Sequence, residues 1–258
     1  MKYGVCGLSA VPMRREPADS AEMTNQVLFG EGFEILENQK KWSLLKLRHD
    51  QYEGWVDNKQ LLPCSNGFYE KLDPALLHTS RDLIDIVSEE KTAEFFPIFL
   101  GSFLPFFTDD QHLRIGERHF HFEGQAGNDK GERQAVVKYS REYMNAPYLW
   151  GGRTPFGIDC SVSAQMVYRL AGYQLPRDAH QQASHGLTLS FIEESEPGDL
   201  AFFDNEEGRI THVGIILKDN FILHASGKVR LDRLDQSGIF NRETTSHTYK
   251  LRVIKKIL

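Results

Sequence analysis

The chain has 258 residues, 40% of them hydrophobic and 26% charged, which suits two or three small globular domains with real cores and argues against a disordered chain. Its net charge of −6 offers no extended positive field to phosphates, so nucleic acid is excluded as a partner and anionic membrane surfaces are disfavoured. The longest apolar-looking run, Phe95 to Phe107, is broken by Pro97 and Pro105 and falls short of the roughly 18 residues of a membrane helix, so no membrane partner is expected.

The amino terminus meets Pro12, Arg14, Arg15 and Glu16 before any apolar stretch of signal-peptide length, which predicts a cytoplasmic protein, or an extracytoplasmic one if a leader was removed. Cys6, Cys64 and Cys160 are odd in number and lack metal-ligand spacing, so at least one thiol is free and neither a disulfide framework nor a zinc site is expected. From Val5 to Leu62, short alternating segments such as Trp42 to Leu47 are punctuated by Gly, Asp and Asn, which predicts a small β-barrel over residues 1–66. The run Gly54-Trp55-Val56, a polar turn and Leu61-Leu62 resembles the closing strand of bacterial SH3-like domains. A second β-rich stretch follows, and residues 67–128 are expected to form a second, diverged barrel whose phenylalanines serve as core. The polar, glycine-rich run Gly124 to Gly131 marks the boundary of a last domain, 129–258, opening with a helix over Arg133 to Tyr143.

In that last domain, Val162, Met166, Val167 and Leu170 recur at helical spacing, Gly172 suits the left-handed residue that ends a helix, and Asp159 stands where an N-cap belongs. Cys160 is thereby placed in the first turn, where unpaired amides and partial positive charge favour a thiolate and offer donors to an oxyanion. A lone helical cysteine is more often a buried structural residue. Here Gly151, Gly152 and Gly157 argue for function, because glycines let a substrate backbone come close.

A thiol nucleophile needs a base. His212 opens one predicted strand, His212 to Leu217, and His224 closes the next, Phe221 to Ala225. A three-residue loop, Lys218-Asp219-Asn220, would pair Leu217 with Phe221 and Gly214 with His224, which sets both histidines on one face. Asn220 tolerates the left-handed conformation such a loop requires. His212 then takes the cysteine proton while His224 holds its ring in the right tautomer.

Five segments in order, Tyr148 to Ser161 (YLWGGRTPFGIDCS), Leu175 to Asp178, Pro197 to Phe203 (PGDLAFF), His212 to Leu217 and His224-Ala225, resemble the signature of the NlpC family of papain-like cysteine peptidases over about residues 131–258. The resemblance implies an α+β papain-like domain in which Cys160, His212 and His224 form the catalytic triad and Tyr148 lies near the oxyanion with the Cys160 amide. The two expected barrels and the pair Arg177-Asp178 look closer to the YkfC-like branch of γ-D-glutamyl-L-diamino acid endopeptidases. That likeness implies a murein-derived tripeptide or tetrapeptide with a free N-terminal L-alanine as substrate, no cofactor, and a place in cell-wall peptide recycling. Asp178 becomes a candidate anchor for the alanine ammonium, with Asp159, Ser161 and Trp150 lining the approach. Each has a plainer role: Asp159 and Asp178 as helix caps, Ser161 as a first-turn residue, Trp150 as packing.

Glu31 and Tyr52 are candidate wall residues of the cleft, and His119 and His121 share a strand face as metal ligands would, but no third ligand presents itself and no metal is expected. Two other functions stay open: acyl transfer from a lipid with the same triad, and a non-catalytic cell-wall-binding protein whose barrels do the work.

Overall fold

Seven short strands build the first sheet: β1 (Tyr3–Val5), β2 (Ala10–Arg14), β3 (Met23–Leu28), β4 (Gly32–Asn38), β5 (Trp42–Leu47), β6 (Glu53–Asp57) and β7 (Leu62–Cys64). In the computed structural model, which describes residues 2–258, they pair antiparallel in the order β3-β2-β6-β5-β4-β1-β7. Period-two alternation sends Val11 and Met13 of β2, Leu45 and Leu47 of β5 and Val56 of β6 into one core.

After a short helix α1 (Asn66–Tyr69), capped by Ser65, come β8 (His78–Ser80), β9 (Ile84–Glu89), β10 (Phe95–Phe99), β11 (Phe103–Leu104), β12 (His112–Ile115), β13 (Arg118–Phe122) and β14 (Ala126–Gly127). They form a four-stranded sheet, β10-β9-β13-β12, and a three-stranded one, β11-β8-β14. The phenylalanines here divide: Phe103, Phe120 and Phe122 are buried, whereas Phe95 is exposed. His119 is exposed as well, and His121 leans toward Glu123 at 3.7 Å.

These two stretches are not separate domains. Val5 and Phe29 of the first are buried in the same apolar cluster as Val87, Ile98, Leu113 and Phe120 of the second, and the Phe103 amide donates to the Phe29 carbonyl at 3.1 Å. One unit therefore runs to Asp129, and it also takes in Trp150–Pro155 with its short strand β15 (Arg153–Thr154). The sequence places those six residues in the catalytic domain. The structure assigns them to the N-terminal unit because Arg153 finds its charge partner there. Its guanidinium and the Glu31 carboxylate are both fully buried and make a two-pronged pair at 2.8 and 2.9 Å, and Arg153 also donates to the Gln26 carbonyl at 2.7 Å. Glu31 thus cannot be a cleft wall residue, and Tyr52 packs half-buried against the first core. The Gly151 position has a similar explanation: at φ of +75° a side chain would be strained, and a Cβ would meet the Met23 carbonyl oxygen at 2.5 Å. Its missing side chain serves close backbone packing rather than substrate access.

The second unit comprises Lys130–Leu149 and Phe156–Leu258. Its first helix, α2 (Arg133–Tyr139), ends four residues earlier than expected, where the Ser140 hydroxyl turns back onto the Val137 carbonyl and competes with the helical ladder. After the two-residue strand β16 (Gly157–Ile158) comes α3 (Cys160–Leu170), in which every residue is buried, not only the inner face. It packs against β19 and β20 of the sheet described next and is tied at its far end by the Tyr168 hydroxyl, which donates to the Gly198 carbonyl. Then follow α4 (Ala179–Gln182) and the strands β17 (Leu187–Leu189), β18 (Leu200–Asp204), β19 (Ile210–Leu217), β20 (Phe221–Ser226), β21 (Lys228–Asp235), β22 (Gly238–Asn241) and β23 (Ser246–Lys256). The long β23 pairs with both β18 and β22, so the six strands from β18 to β23 close into a barrel and β17 hangs on the outer side of β23. Among the described residues, no helix is long and apolar enough to cross a membrane.

Candidate active site

The site is built where α3 begins. Asp159 caps the helix by accepting the Val162 amide at 2.9 Å, leaving Cys160 as the first helical residue. The sulfur lies 4.0 Å from the Thr211 carbonyl oxygen and is close enough to the Val213 amide for that N–H to favour its thiolate. It therefore rests against the backbone on both sides of His212.

The histidine register follows from the turn. Asp219 and Asn220 adopt left-handed φ values of 60° and 55°, and Leu217 pairs with Phe221 and Gly214 with His224, as the loop length predicts. A Cβ on Gly214 would stand 2.7 Å from Ile222 and 3.1 Å from the His224 Cβ, so this glycine keeps the space in which His224 turns toward its partner. His212 Nε2 and His224 Nδ1 are 2.8 Å apart, and both rings are buried. Tyr249, from the closing strand β23, stacks on His212 with ring centroids 3.9 Å apart and planes 11° from parallel. Sequence reasoning missed Tyr249, since only barrel closure brings it back to this face.

With Nε2 engaged by His224, Nδ1 is the His212 atom left to meet the sulfur. Burial, reinforced by the neighbouring His224, holds His212 well below the ordinary imidazole range. Burial also pushes the Cys160 thiol up to about 12, with Asp159 adding to the effect against the opposing pull of backbone amides and Arg177. Cys160 is only 6% exposed, and at this depth both partners rest uncharged. The helix amides act in the direction that favours the thiolate, and desolvation acts against them. The proton then moves only as the thiol attacks. A raised thiol pKa means a vanishing thiolate fraction at neutral pH, so iodoacetamide labelling of the unliganded protein is expected to stay slow through pH 8 and climb only beyond it. A labelling plateau reaching down toward pH 5 would instead reveal a resting ion pair.

The other predicted residues divide. Tyr148 bridges to Ile158, its amide donates to the Gly227 carbonyl at 2.9 Å, and burial, together with the nearby Cys160 and Asp159, pushes its phenol well up, which keeps the hydroxyl a donor. Asp159 and Ser161 join a buried network with Arg177, whose Nη2 reaches Asp159 at 2.5 Å and whose Nη1 donates to the Ser161 hydroxyl at 2.8 Å. Sequence reasoning paired Arg177 with Asp178 and did not foresee this role. Asp178 stands at the N-cap position of α4, where its amide donates to Gln181, and its carboxylate is 36% exposed and 3.7 Å from Arg177. Trp150 belongs to the other unit, where its indole N–H donates to Glu22 at 2.7 Å and its side chain stays exposed. Gly157 likewise makes room for the Leu149 side chain, not for a substrate.

Residues 145–248 match the NlpC/P60 family, and residues 13–61 match the bacterial dipeptidyl-peptidase Sh3 domain. A γ-D-glutamyl-L-lysine dipeptidyl-peptidase of Bacillus subtilis (strain 168) is 30% identical over 78% of this chain and 71% of its own length. Dipeptidyl-peptidase 6 of Lysinibacillus sphaericus is 25% identical over 90% of this chain and 92% of its own. The crystal structure of an NlpC/P60 family protein from Bacillus cereus superposes with a TM-score of 0.84 over 99% of both chains at 17% identity, which establishes a common fold. An α+β NlpC/P60-type domain with an N-terminal SH3-like region, carrying a cysteine at a helix start beside two linked histidines, belongs to the NlpC/P60 family of cysteine peptidases.

Proposed function

We propose that the protein hydrolyses the amide between γ-D-glutamate and the following L-diamino acid in murein peptides that carry a free N-terminal L-alanine, in cell-wall peptide recycling. The observation that carries this reading is the buried line from the Cys160 sulfur, past the His212 backbone, to the 2.8 Å contact between His212 and His224. Similarity to the γ-D-glutamyl-L-lysine dipeptidyl-peptidase of Bacillus subtilis supports the choice of bond. Cys160 attacks the γ-carbonyl carbon while His212 Nδ1 takes the thiol proton, and the Tyr148 hydroxyl and the Cys160 amide donate to the oxyanion. Collapse expels the diamino acid amine, which receives that proton, and leaves a thioester. Water, deprotonated by the same imidazole, then frees the dipeptide and restores the thiol.

Asp178 is the carboxylate best suited to the alanine ammonium, since it keeps exposure that Asp159 has given up to Arg177. Asp159 and Ser161 act behind it by fixing Arg177. The stretch from β8 to β14 is, in this reading, a second and diverged SH3-like barrel fused to the first through their common core.

Mass spectrometry of products from L-Ala-γ-D-Glu-L-Lys, its diaminopimelate counterpart and the corresponding tetrapeptides tests the proposal. L-Ala-γ-D-Glu is expected from each, and acetylation of the alanine amine is expected to slow its release about a hundredfold, the effect of one lost charged hydrogen bond of up to about 3 kcal/mol. Equal cleavage of acetylated and free peptides would remove the ammonium anchor, and absence of the dipeptide would remove the bond assignment.

A further inference from the structure

Beyond the two histidines, the line of polar contacts continues to a group with no part in the mechanism above. His224 Nε2 lies 3.1 Å from the Asp232 carboxylate, and both side chains are almost fully buried. Asp232 is in turn gripped by Arg230, whose Nε donates at 2.8 Å and Nη2 at 3.3 Å, and by the Arg242 amide at 3.3 Å. Burial alone would raise this carboxyl, but the hydrogen bonds from His224 and Arg230 outweigh it and bring it down to about 2. The group is thus a carboxylate, which only accepts.

That single fact propagates through both rings. The hydrogen between His224 and Asp232 must sit on His224 Nε2, so a neutral His224 presents a lone pair at Nδ1. The 2.8 Å contact then requires His212 Nε2 to carry the donated hydrogen. A neutral His212 is left with its lone pair on Nδ1, the ring nitrogen that His224 does not engage. We infer that Asp232 is a positioning residue for the peptidase reaction, which fixes the tautomers of His224 and His212 in sequence so that His212 faces the thiol as a base. The inference rests on the reading of Cys160, His212 and His224 as the reacting group. It also accounts for Arg230, which sits opposite His224 on β21 and holds both carboxylate oxygens of Asp232. As the sulfur attacks, its proton enters at His212 Nδ1, and the positive charge that develops on the linked rings faces a carboxylate already in place.

An amide at this position would act in the opposite sense. The asparagine NH₂ of Asp232→Asn donates toward His224 Nε2, selects the Nδ1–H form of His224 and forces His212 to carry its hydrogen on the nitrogen that must take a proton. In the full chain acting on L-Ala-γ-D-Glu-L-Lys, Asp232→Asn is expected to lower kcat about 10- to 100-fold with KM little changed. Added to His224→Ala, the same substitution is expected to cost almost nothing more, because its path to the thiol is already cut. Equal losses in both backgrounds would make Asp232 a merely structural ion-pair partner, and wild-type kcat in the single variant would overturn the inference equally. Should Asp232→Asn fail to fold, nitrogen-15 chemical shifts of the histidine rings in the unaltered protein decide: protonated Nε2 on both His212 and His224 supports the chain of tautomers, and a protonated Nδ1 on His212 overturns it. Failure of the wider reading looks different, since Cys160→Ala would then still release the dipeptide.

Discussion

Replacing Cys160 with alanine will reduce release of L-Ala-γ-D-Glu from the murein tripeptide by about 10⁵-fold or more while leaving the fold in place. The thioester has no other sulfur to form on: Cys6 is buried in the core of the first sheet, in the other unit, and Cys64 lies on β7. His212 stays neutral and can still take a proton from water, but direct attack by water on the amide bypasses the thioester and is expected to be far slower than attack by the thiol. The fold should tolerate the change, since Asp159 still caps α3 and loss of one sulfur from a buried site removes about 1 kcal/mol of packing. Circular dichroism and product mass spectrometry on the same sample check both halves. Turnover within tenfold of the unaltered enzyme would take Cys160 out of the chemistry.

The second large effect is on stability. Arg153→Met is expected to destabilise the N-terminal unit by about 3–5 kcal/mol, measured as a fall in the urea midpoint of the full chain. Arg153 and Glu31 are both at 0% exposure, and removing the guanidinium takes from the Glu31 carboxylate its two contacts with Arg153 while leaving the Leu28 amide at 2.9 Å and His49 Nε2 at 3.6 Å. A charge stranded at that depth costs far more than the pair contributes while intact. For the same reason the double change Glu31→Gln with Arg153→Met should recover a substantial part of the loss. A midpoint shift worth less than about 1 kcal/mol for the single variant would show that the site relaxes or admits water.

What could be read in the sequence was whatever depends on neighbours along the chain. The cap at Asp159, the helix start at Cys160 and the hairpin register that pairs Gly214 with His224 all follow from local spacing and turn chemistry, and the structure has each of them. What could not be read depends on closure. Lys228 to Asp235 alternates charged and apolar residues like an ordinary surface strand, yet β22 and β23 fold over it and bury Asp232. Extending the register argument one hairpin further, from His224 to its partner Arg230 and on to Asp232, would have found that carboxylate. Arg153 and Glu31 stand 122 residues apart, and no local pattern pairs them. Gly151 and Gly157 read in the sequence as substrate clearance, because close packing by other parts of the chain and absence of packing leave the same mark on a sequence.

The membership of Trp150–Pro155 has a consequence for how this architecture can be rearranged. The backbone passes between the units three times, after Asp129, after Leu149 and after Pro155, so the hydrolase portion is not a cassette bounded by one linker. A chimera spliced at the glycine-rich junction would transplant a hexapeptide whose arginine needs a recipient glutamate at the depth of Glu31 and an accepting carbonyl like that of Gln26. Swaps among homologues must therefore carry the hexapeptide and its sockets together, which couples the drift of the N-terminal sheets to that of the segment leading into the nucleophile.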